Sequence, residues 1–278
     1  MKSRTFDLNV PVGYDEEMLR TLVRKKTRHD GPFIMLNKSL DARNRRNIHW
    51  KIRVEVLPKK LSSLQSVSES GKLKQFQIPY RKRTERIVVV GSGPAGFFTA
   101  YALQKGGYRV EIIEQGSDVD NREQAISHFE TGGPLNERNN YAYGEGGAGT
   151  FSDGKLTARS KKNRIEKEFV FDSFVEAGAP EEIKFLSSPH LGSDNLKQIV
   201  RNLRTRFQDI GGKIHFDTRF DTFQTNSKQR KLLIKTDRFE MSCDYLILAI
   251  GHSSLQTYRT LLKQGIPFRS KPFAIGSR

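Results

Sequence analysis

Apolar and polar side chains alternate from Ile48 to Leu57. Ile48, Trp50, Ile52, Val54 and Val56 fall on one side, and His49, Lys51, Arg53 and Glu55 on the other. A period of two marks a strand with one buried face, of the antiparallel kind. Thr5–Val10 alternates more weakly and Phe33–Leu36 is a short apolar run, so both are expected to be strands. Between them Met18, Leu19, Leu22 and Val23 form a stripe at helical spacing, and Asp15, Glu16 and Glu17 precede it where a helix dipole favours acids. With the polar turn Asp41–Asn47, residues 1–58 read as a small α/β module. Residues 59–85 are rich in Lys, Ser and Gln and contain Pro79, which reads as a linker.

The pattern changes at Arg86. An apolar run, Ile87–Val90, ends in Gly91-Ser92-Gly93-Pro94-Ala95-Gly96. A helix-like segment, a Gly106-Gly107 turn and a second apolar run, Val110–Ile113, lead to Glu114. Strand, glycine turn, helix, strand and terminal acid in this order predict a dinucleotide-binding βαβ unit. Gly91 allows the tight turn, Gly93 lets the backbone approach a pyrophosphate, and Gly96 lets the helix pack on the strand. Pro94 and Ala95 open the helix whose N–H groups would meet that pyrophosphate. Glu114, 23 residues after Gly91, stands where a carboxylate would accept hydrogen bonds from a ribose. The competing reading is a glycine-rich turn in a domain without a cofactor, which leaves Glu114 unexplained.

Further along, helices are expected up to about Glu130, over about Arg164–Ala177 and over about Asp194–Gln208. Strand-like runs cover Lys213–Phe216, Phe220–Gln224 and Lys231–Thr236. The uninterrupted apolar run Tyr245–Ile250 suits the buried centre of a parallel sheet. Two further segments bear on chemistry. In Gly144–Leu156 five glycines are interleaved with Thr150, Ser152, Asp153 and Lys155, and such a segment exposes backbone N–H groups to a flat ligand. Gly146, Gly147, Gly149 and Thr150 are the candidates there, against the alternative of a surface loop. The run at 245–250 ends in Gly251-His252-Ser253, where Gly251 would let the chain pass near a cofactor. His252 reads better as a turn residue than as an acid or base. Arg122 would reach a pyrophosphate or lie as a solvated helix-cap residue.

Composition narrows the class. No apolar stretch approaches the ~20 residues of a membrane span, and acids occupy the start where a signal peptide would be apolar, so a cytoplasmic setting is expected. Cys243 is the single cysteine, which leaves no Cys-x-x-Cys pair, and the six histidines show no metal-binding spacing. The net charge of +17 is uneven: residues 1–86 hold 21 Lys/Arg against 9 Asp/Glu. That excess would attract nucleic acid through residues 1–86, although a solvated basic surface is the favoured reading.

Taken together, GSGPAG, Glu114, GEGGAGTFSDGKL at 144–156 and AIGHS at 249–253 resemble the bacterial FAD-dependent dehydrogenases often called NAD(FAD)-utilizing dehydrogenases. SLDAR at 39–43, PHLGSDNLKQIVRNLR at 189–204 and KPFAIG at 271–276 extend the resemblance over most of the chain. It implies a glutathione-reductase-like FAD/NAD(P)-binding Rossmann fold over 86–278, preceded by a small ferredoxin-like α/β module. It implies FAD as cofactor, an NAD(P)H electron donor and a small-molecule substrate. Members of that family continue past the KPFAIG point, so the fold is expected to be incomplete here, truncated before a later strand that closes the flavin site. No catalytic acid, base or substrate-binding residue is assigned. The rival expectations are a simple NAD-binding dehydrogenase, an RNA-interacting flavoprotein or basic binding module, and an inactive remnant.

Overall fold

The computed structural model describes residues 4–28, 30–57, 77–152, 154–156, 164–226 and 230–272. The chain divides into two compact units, one from Met1–Gln77 with Asp153–Ile199, the other from Ile78–Ser152 with Val200–Arg278. The division differs from the boundaries at 58 and 85 expected from sequence. Residues 153–199 group with the N-terminal segment, and the end of the expected linker belongs to the second unit. There Arg81 and Arg83 donate their N–H groups to the carbonyls of Gly106 and Gly107, at 3.3 and 3.0 Å. Most of the rest of that linker, 58–76, lies outside the described residues.

The first unit opens with β1 (Arg4–Pro11), α1 (Glu16–Thr27), β2 (Phe33–Asp41) and β3 (His49–Val56). The strands form an antiparallel sheet in the order β1-β3-β2. This is a βαββ arrangement, as the alternating pattern required. Asp15 caps α1 by accepting the Met18 N–H at 2.7 Å. Leu19 and Val23 are buried against Leu8, Val10, Ile52 and Val54; each such side chain contributes roughly 1.5–3 kcal/mol. β2 runs five residues beyond its apolar run because its polar half has partners. Lys38 exchanges backbone hydrogen bonds with Phe185 and Ser187 at 2.7 and 3.0 Å, and its ammonium lies over the rings of Tyr14 and Trp50. On the basic surface Arg53 pairs with Asp7, Arg20 with Glu16, and Arg43 and Lys51 with Asp41, so part of the positive charge is neutralised locally. The unit also holds a 3-10 turn, Glu181–Lys184.

In the second unit β4 (Arg86–Val90), α2 (Pro94–Lys105), β5 (Arg109–Ile113) and α3 (Val119–Glu130) follow one another. Then α4 (Arg164–Glu176) lies in the first unit, and α5 (Ser193–Asp209) begins there and ends in the second. β6 (Lys213–His215), β7 (Phe220–Asn226), β8 (Lys231–Thr236), β9 (Glu240–Cys243), β10 (Tyr245–Leu248) and α6 (Leu255–Lys263) complete the order. Four strands make a parallel sheet in the order β10-β4-β5-β6, and β7-β8-β9 make an antiparallel sheet. Val88, Val90 and Ile113 pack with Phe220, Ile234, Met241 and Cys243 in one core. Phe97 of α2 meets Tyr101 and Phe207 at 5.8 and 5.9 Å between ring centres. This is the dinucleotide-binding Rossmann arrangement that the glycine turn predicted. β10 departs from expectation: it lies at the end of the sheet order, not its centre, with Tyr245 57% and Leu248 38% exposed. Its apolar run is explained on one face only, where Leu246 and Ile250 pack on the core.

Three strands of the parallel sheet are also joined through one carboxylate. Glu111 on β5 accepts from Arg86 Nη2 at 2.6 Å and lies 2.7 Å from His215 Nε2. The His215 hydrogen bond first, and then Arg86, hold its carboxyl down at about 2, although burial opposes them. A carboxyl lowered on folding contributes stability that is present above its ordinary value and lost as pH falls toward the folded one. Between pH 7 and pH 3 the protein should therefore lose about 2 kcal/mol through this group, a loss absent from Glu111→Gln. Urea unfolding of both proteins at the two pH values measures the difference; parallel pH profiles would refute the assignment.

Candidate functional site

A cleft of about 310 Å³ opens in the second unit where the C-terminal ends of β4, β5 and β10 meet. Ligands of open parallel sheets bind at such a position, where the strand order changes direction. The glycine turn forms one wall. Gly91 has φ +102° and donates its N–H to Ile113 O at 2.8 Å; a Cβ there would lie 2.4 Å from Ala249 O. Gly93 is the N-cap of α2, Pro94 fills the first helical position, and no side chain caps the helix. Gly93, Pro94 and Ala95 line the cleft, so the positive end of the helix dipole lies on its wall.

Glu114, at the end of β5, also lines the cleft and is buried. One carboxylate oxygen accepts from Ser92 N and Oγ, both at 2.8 Å; the other accepts from Gly116 N and Gly144 N at 3.0 and 3.1 Å. Its roughly four acceptor positions are thus engaged within the protein. A ribose hydroxyl would share an oxygen that already holds the glycine turn and the 144 region together.

The segment before and within the glycine-rich stretch forms the opposite wall. Ala142, Tyr143, Gly144, Gly147 and Ala148 reach the cleft, and Gly147 lies so near Gly93 that a Cβ on it would be 2.9 Å from the Gly93 Cα. Three candidates from this stretch are off the wall. Gly146 donates its N–H to Ser92 O at 3.2 Å, Thr150 is buried with its Oγ1 3.4 Å from Glu145 O, and Gly149 does not line the cleft. Gly96 is likewise a packing position: a Cβ on it would lie 1.9 Å from Gly91 O. Gly251 does line the cleft, with φ +69° and open space beside it.

Arg122 is placed differently from both sequence readings. It is neither solvated nor on the cleft wall: its residue is wholly buried, and the guanidinium donates to main-chain carbonyls of the 140–147 segment. Nε binds Asn140 O at 2.9 Å, Nη1 binds Glu145 O and Gly147 O at 2.7 and 2.8 Å, and Nη2 binds Tyr141 O at 3.1 Å. Its Cζ lies 4.7 Å from the Phe151 ring centre. Burial lowers its pKa to about 10, which leaves it charged at neutral pH. Glu145, buried nearby, accepts from Val119 N at 2.8 Å and from Arg204 Nη1 at 3.0 Å. Burial pushes its carboxyl up to about 7 against the pull of Arg204.

Several wall residues had no motif to announce them. Thr218, Arg219 and Phe220 enter at the start of β7, and Tyr258 comes from α6. The Tyr143 hydroxyl donates to Ser253 O at 2.6 Å and that of Tyr258 to Gly251 O at 3.0 Å. His252 lines the cleft with its Nε2 3.3 Å from Ser253 Oγ. Among the described residues no His, Cys, Asp and Glu cluster could hold a metal ion, and no helix is long and apolar enough to cross a membrane.

Residues 85–267 match the family model described as pyridine nucleotide-disulphide oxidoreductase. The chain belongs to that family. A relative in Clostridium beijerinckii, described as an uncharacterized protein, is 36% identical over 298 aligned positions. The alignment takes in the whole of this chain and 54% of the relative, so the chain spans about half the length of that protein. Among solved structures, OTEMO in complex with FAD and NADP covers 62% of this chain and 26% of its own, at 15% identity and TM-score 0.38. The flavoprotein disulfide reductase RclA from Escherichia coli covers 64% and 23%, at 11% identity and TM-score 0.28. FqzB covers 65% and 40%, at 15% identity and TM-score 0.39.

Proposed function

We propose that this chain is the dinucleotide-binding portion of a FAD-dependent oxidoreductase of the NAD(FAD)-utilizing dehydrogenase type. The observation that carries the reading is the cleft at the ends of β4, β5 and β10, with an uncapped helix N-terminus and Glu114 on its walls. The residues suit the group. Gly91, Gly93, Gly144, Gly147 and Gly251 give the walls bare backbone, and beside Gly251 there is open space where a side chain would otherwise project. Gly93, Pro94, Ala95 and Gly147 would hold the pyrophosphate, and Glu114 the adenosine side. When bound, FAD supplies the electron- and hydride-transfer chemistry through its ring system. The chain's residues bind and orient it. Cys243, the one cysteine of this sequence, is buried away from the cleft and its thiol is pushed up to about 11 by burial. A dithiol relay is therefore not part of the proposal for these residues. NAD(P)H as electron donor, a small-molecule substrate and a cytoplasmic setting complete it.

The test is the absorption spectrum of the natively purified chain, followed by titration of stripped protein with FAD, NAD and NADP. Flavin bands and preference for FAD are expected, because the Glu114 carboxylate disfavours a ribose 2′-phosphate. Tight NADP binding with no flavin affinity would replace this reading with a nicotinamide-only dehydrogenase.

A further inference from the structure

The cleft wall at 142–148 is glycine-rich and has no helix or strand of its own; its N–H groups at Gly144, Glu145 and Gly146 are taken up by Glu114, Ser117 O and Ser92 O. Its carbonyl groups are a hazard to an anionic ligand. A carbonyl oxygen turned toward a diphosphate would repel it, while an N–H group would attract it. In this structure the carbonyls of Asn140, Tyr141, Glu145 and Gly147 converge on one side chain, the Arg122 guanidinium. No carboxylate hydrogen-bonds to it among the described residues, although the charges of Glu114 and Glu145 act on it. An arginine paired with a carboxylate would be an ordinary buried ion pair. One spread over five carbonyls of a single loop, Gly144 O at 3.4 Å included, instead fixes the loop from its carbonyl side. Gly147 is the link to the ligand side: its carbonyl is bound to Arg122 at 2.8 Å, and its backbone lines the cleft opposite Gly93.

We infer that Arg122 is a positioning residue: it gathers the carbonyls of residues 140–147 behind the cleft wall and so holds Gly147 and Ala148 in a shape that accepts a dinucleotide pyrophosphate, without touching the ligand. This rests on the dinucleotide reading of the cleft. Two consequences separate it from a general stabilising role. The fork shape of the guanidinium matters, since five N–H donors in one plane reach several carbonyls at once, while a lysine ammonium at the end of a flexible stem does not. The effect is also local to the wall.

The experiment uses the 278-residue chain as wild type, Arg122→Lys and Arg122→Ala. Amide hydrogen exchange is followed without ligand, and FAD affinity is measured by flavin fluorescence. In Arg122→Lys, exchange should rise at least tenfold at the amides of residues 144–147, with little change in β4, β5 and β8. FAD affinity should fall at least thirtyfold despite the retained charge. In Arg122→Ala, millimolar methylguanidinium should restore both protection and affinity, whereas methylammonium should not. Arg122→Lys with wild-type exchange and wild-type affinity would overturn the inference, as would equal rescue by the two cations. Uniform loss of protection through the sheet in both variants, unrelieved by methylguanidinium, would also overturn it, by making Arg122 a global fold residue. If the wild type binds no dinucleotide, the function proposed above fails. If exchange at 144–147 still responds as described, the loop-shaping role stands by itself.

Discussion

Gly93→Val should abolish dinucleotide binding and leave the fold standing. Gly93 has φ −65° and ψ 175°, extended backbone that valine adopts without strain. A Cβ at this position would meet only the Gly147 Cα, at 3.7 Å, an ordinary contact. The domain should therefore lose no more than about 1 kcal/mol, largely from exchanging glycine for a poor N-cap residue. The consequence for a ligand is different. The two methyl groups of valine would stand between the start of α2 and the Gly147 wall, on the path by which a pyrophosphate approaches the helix N-terminus. They would block the N–H groups there and bring apolar surface against charge. A loss of at least a hundredfold in FAD affinity is expected, equivalent to about 2.7 kcal/mol. Fluorescence titration gives the affinity and thermal unfolding the stability. Wild-type affinity in this variant would mean that the ligand sits elsewhere, even if the fold assignment is right.

The fold around Gly93 was only partly legible in the sequence. The βαβ unit from Arg86 to Glu114 was readable because each part has its own local cause: an apolar run, a turn that demands glycine, a helix and an acid at a fixed distance. α1 was readable because Leu19 and Val23 share a helical face, and β3 because Ile52 and Val54 share a strand face. β9 was missed because four residues, Glu240–Cys243, carry only two buried positions, Met241 and Cys243, too few to show a period. α6 was missed because the preceding Gly251-His252-Ser253 reads as a loop, and the helix buries only Leu261. Arg122 shows a deeper limit. A charged residue on a polar helix gives no local sign of burial, and its partners, residues 140–147, come from a segment with no regular structure. Its environment is created by the tertiary fold alone. The same holds for Thr218–Phe220 and Tyr258, which reach the cleft only because β7 and α6 bring them there. The edge position of β10 was hidden for the opposite reason, since a long apolar run is compatible with either one packed face or two.

Gly96→Ala should destabilise the second unit severely, although the change adds one methyl group and improves helix propensity. The third residue of α2 lies directly over the glycine turn: a Cβ on Gly96 would be 1.9 Å from Gly91 O and 3.0 Å from Gly91 C. Those are main-chain atoms and cannot rotate away. Gly91 is itself pinned, with φ +102° and its N–H bonded to Ile113 O at 2.8 Å. On the other side α2 is held down by Phe97, Ala100 and Tyr101, all buried, and the Ala249 Cβ lies 3.3 Å from the added atom. Relief requires α2 to lift from the sheet or the turn to leave its left-handed conformation, and each route opens core packing. Alanine returns up to about 1 kcal/mol of helix propensity over glycine. Overpacking against backbone should exceed that, for a net loss of about 3 kcal/mol or more. Against a total stability of about 5–15 kcal/mol, this is enough to lower the midpoint of thermal unfolding by about 6–12 °C. Thermal and urea unfolding of Gly96→Ala beside Gly93→Ala decides the matter: the first should unfold early and the second close to wild type. Equal stability of the two would show that α2 does not sit on the Gly91 turn as described, and would remove the packing argument on which the cleft's geometry rests.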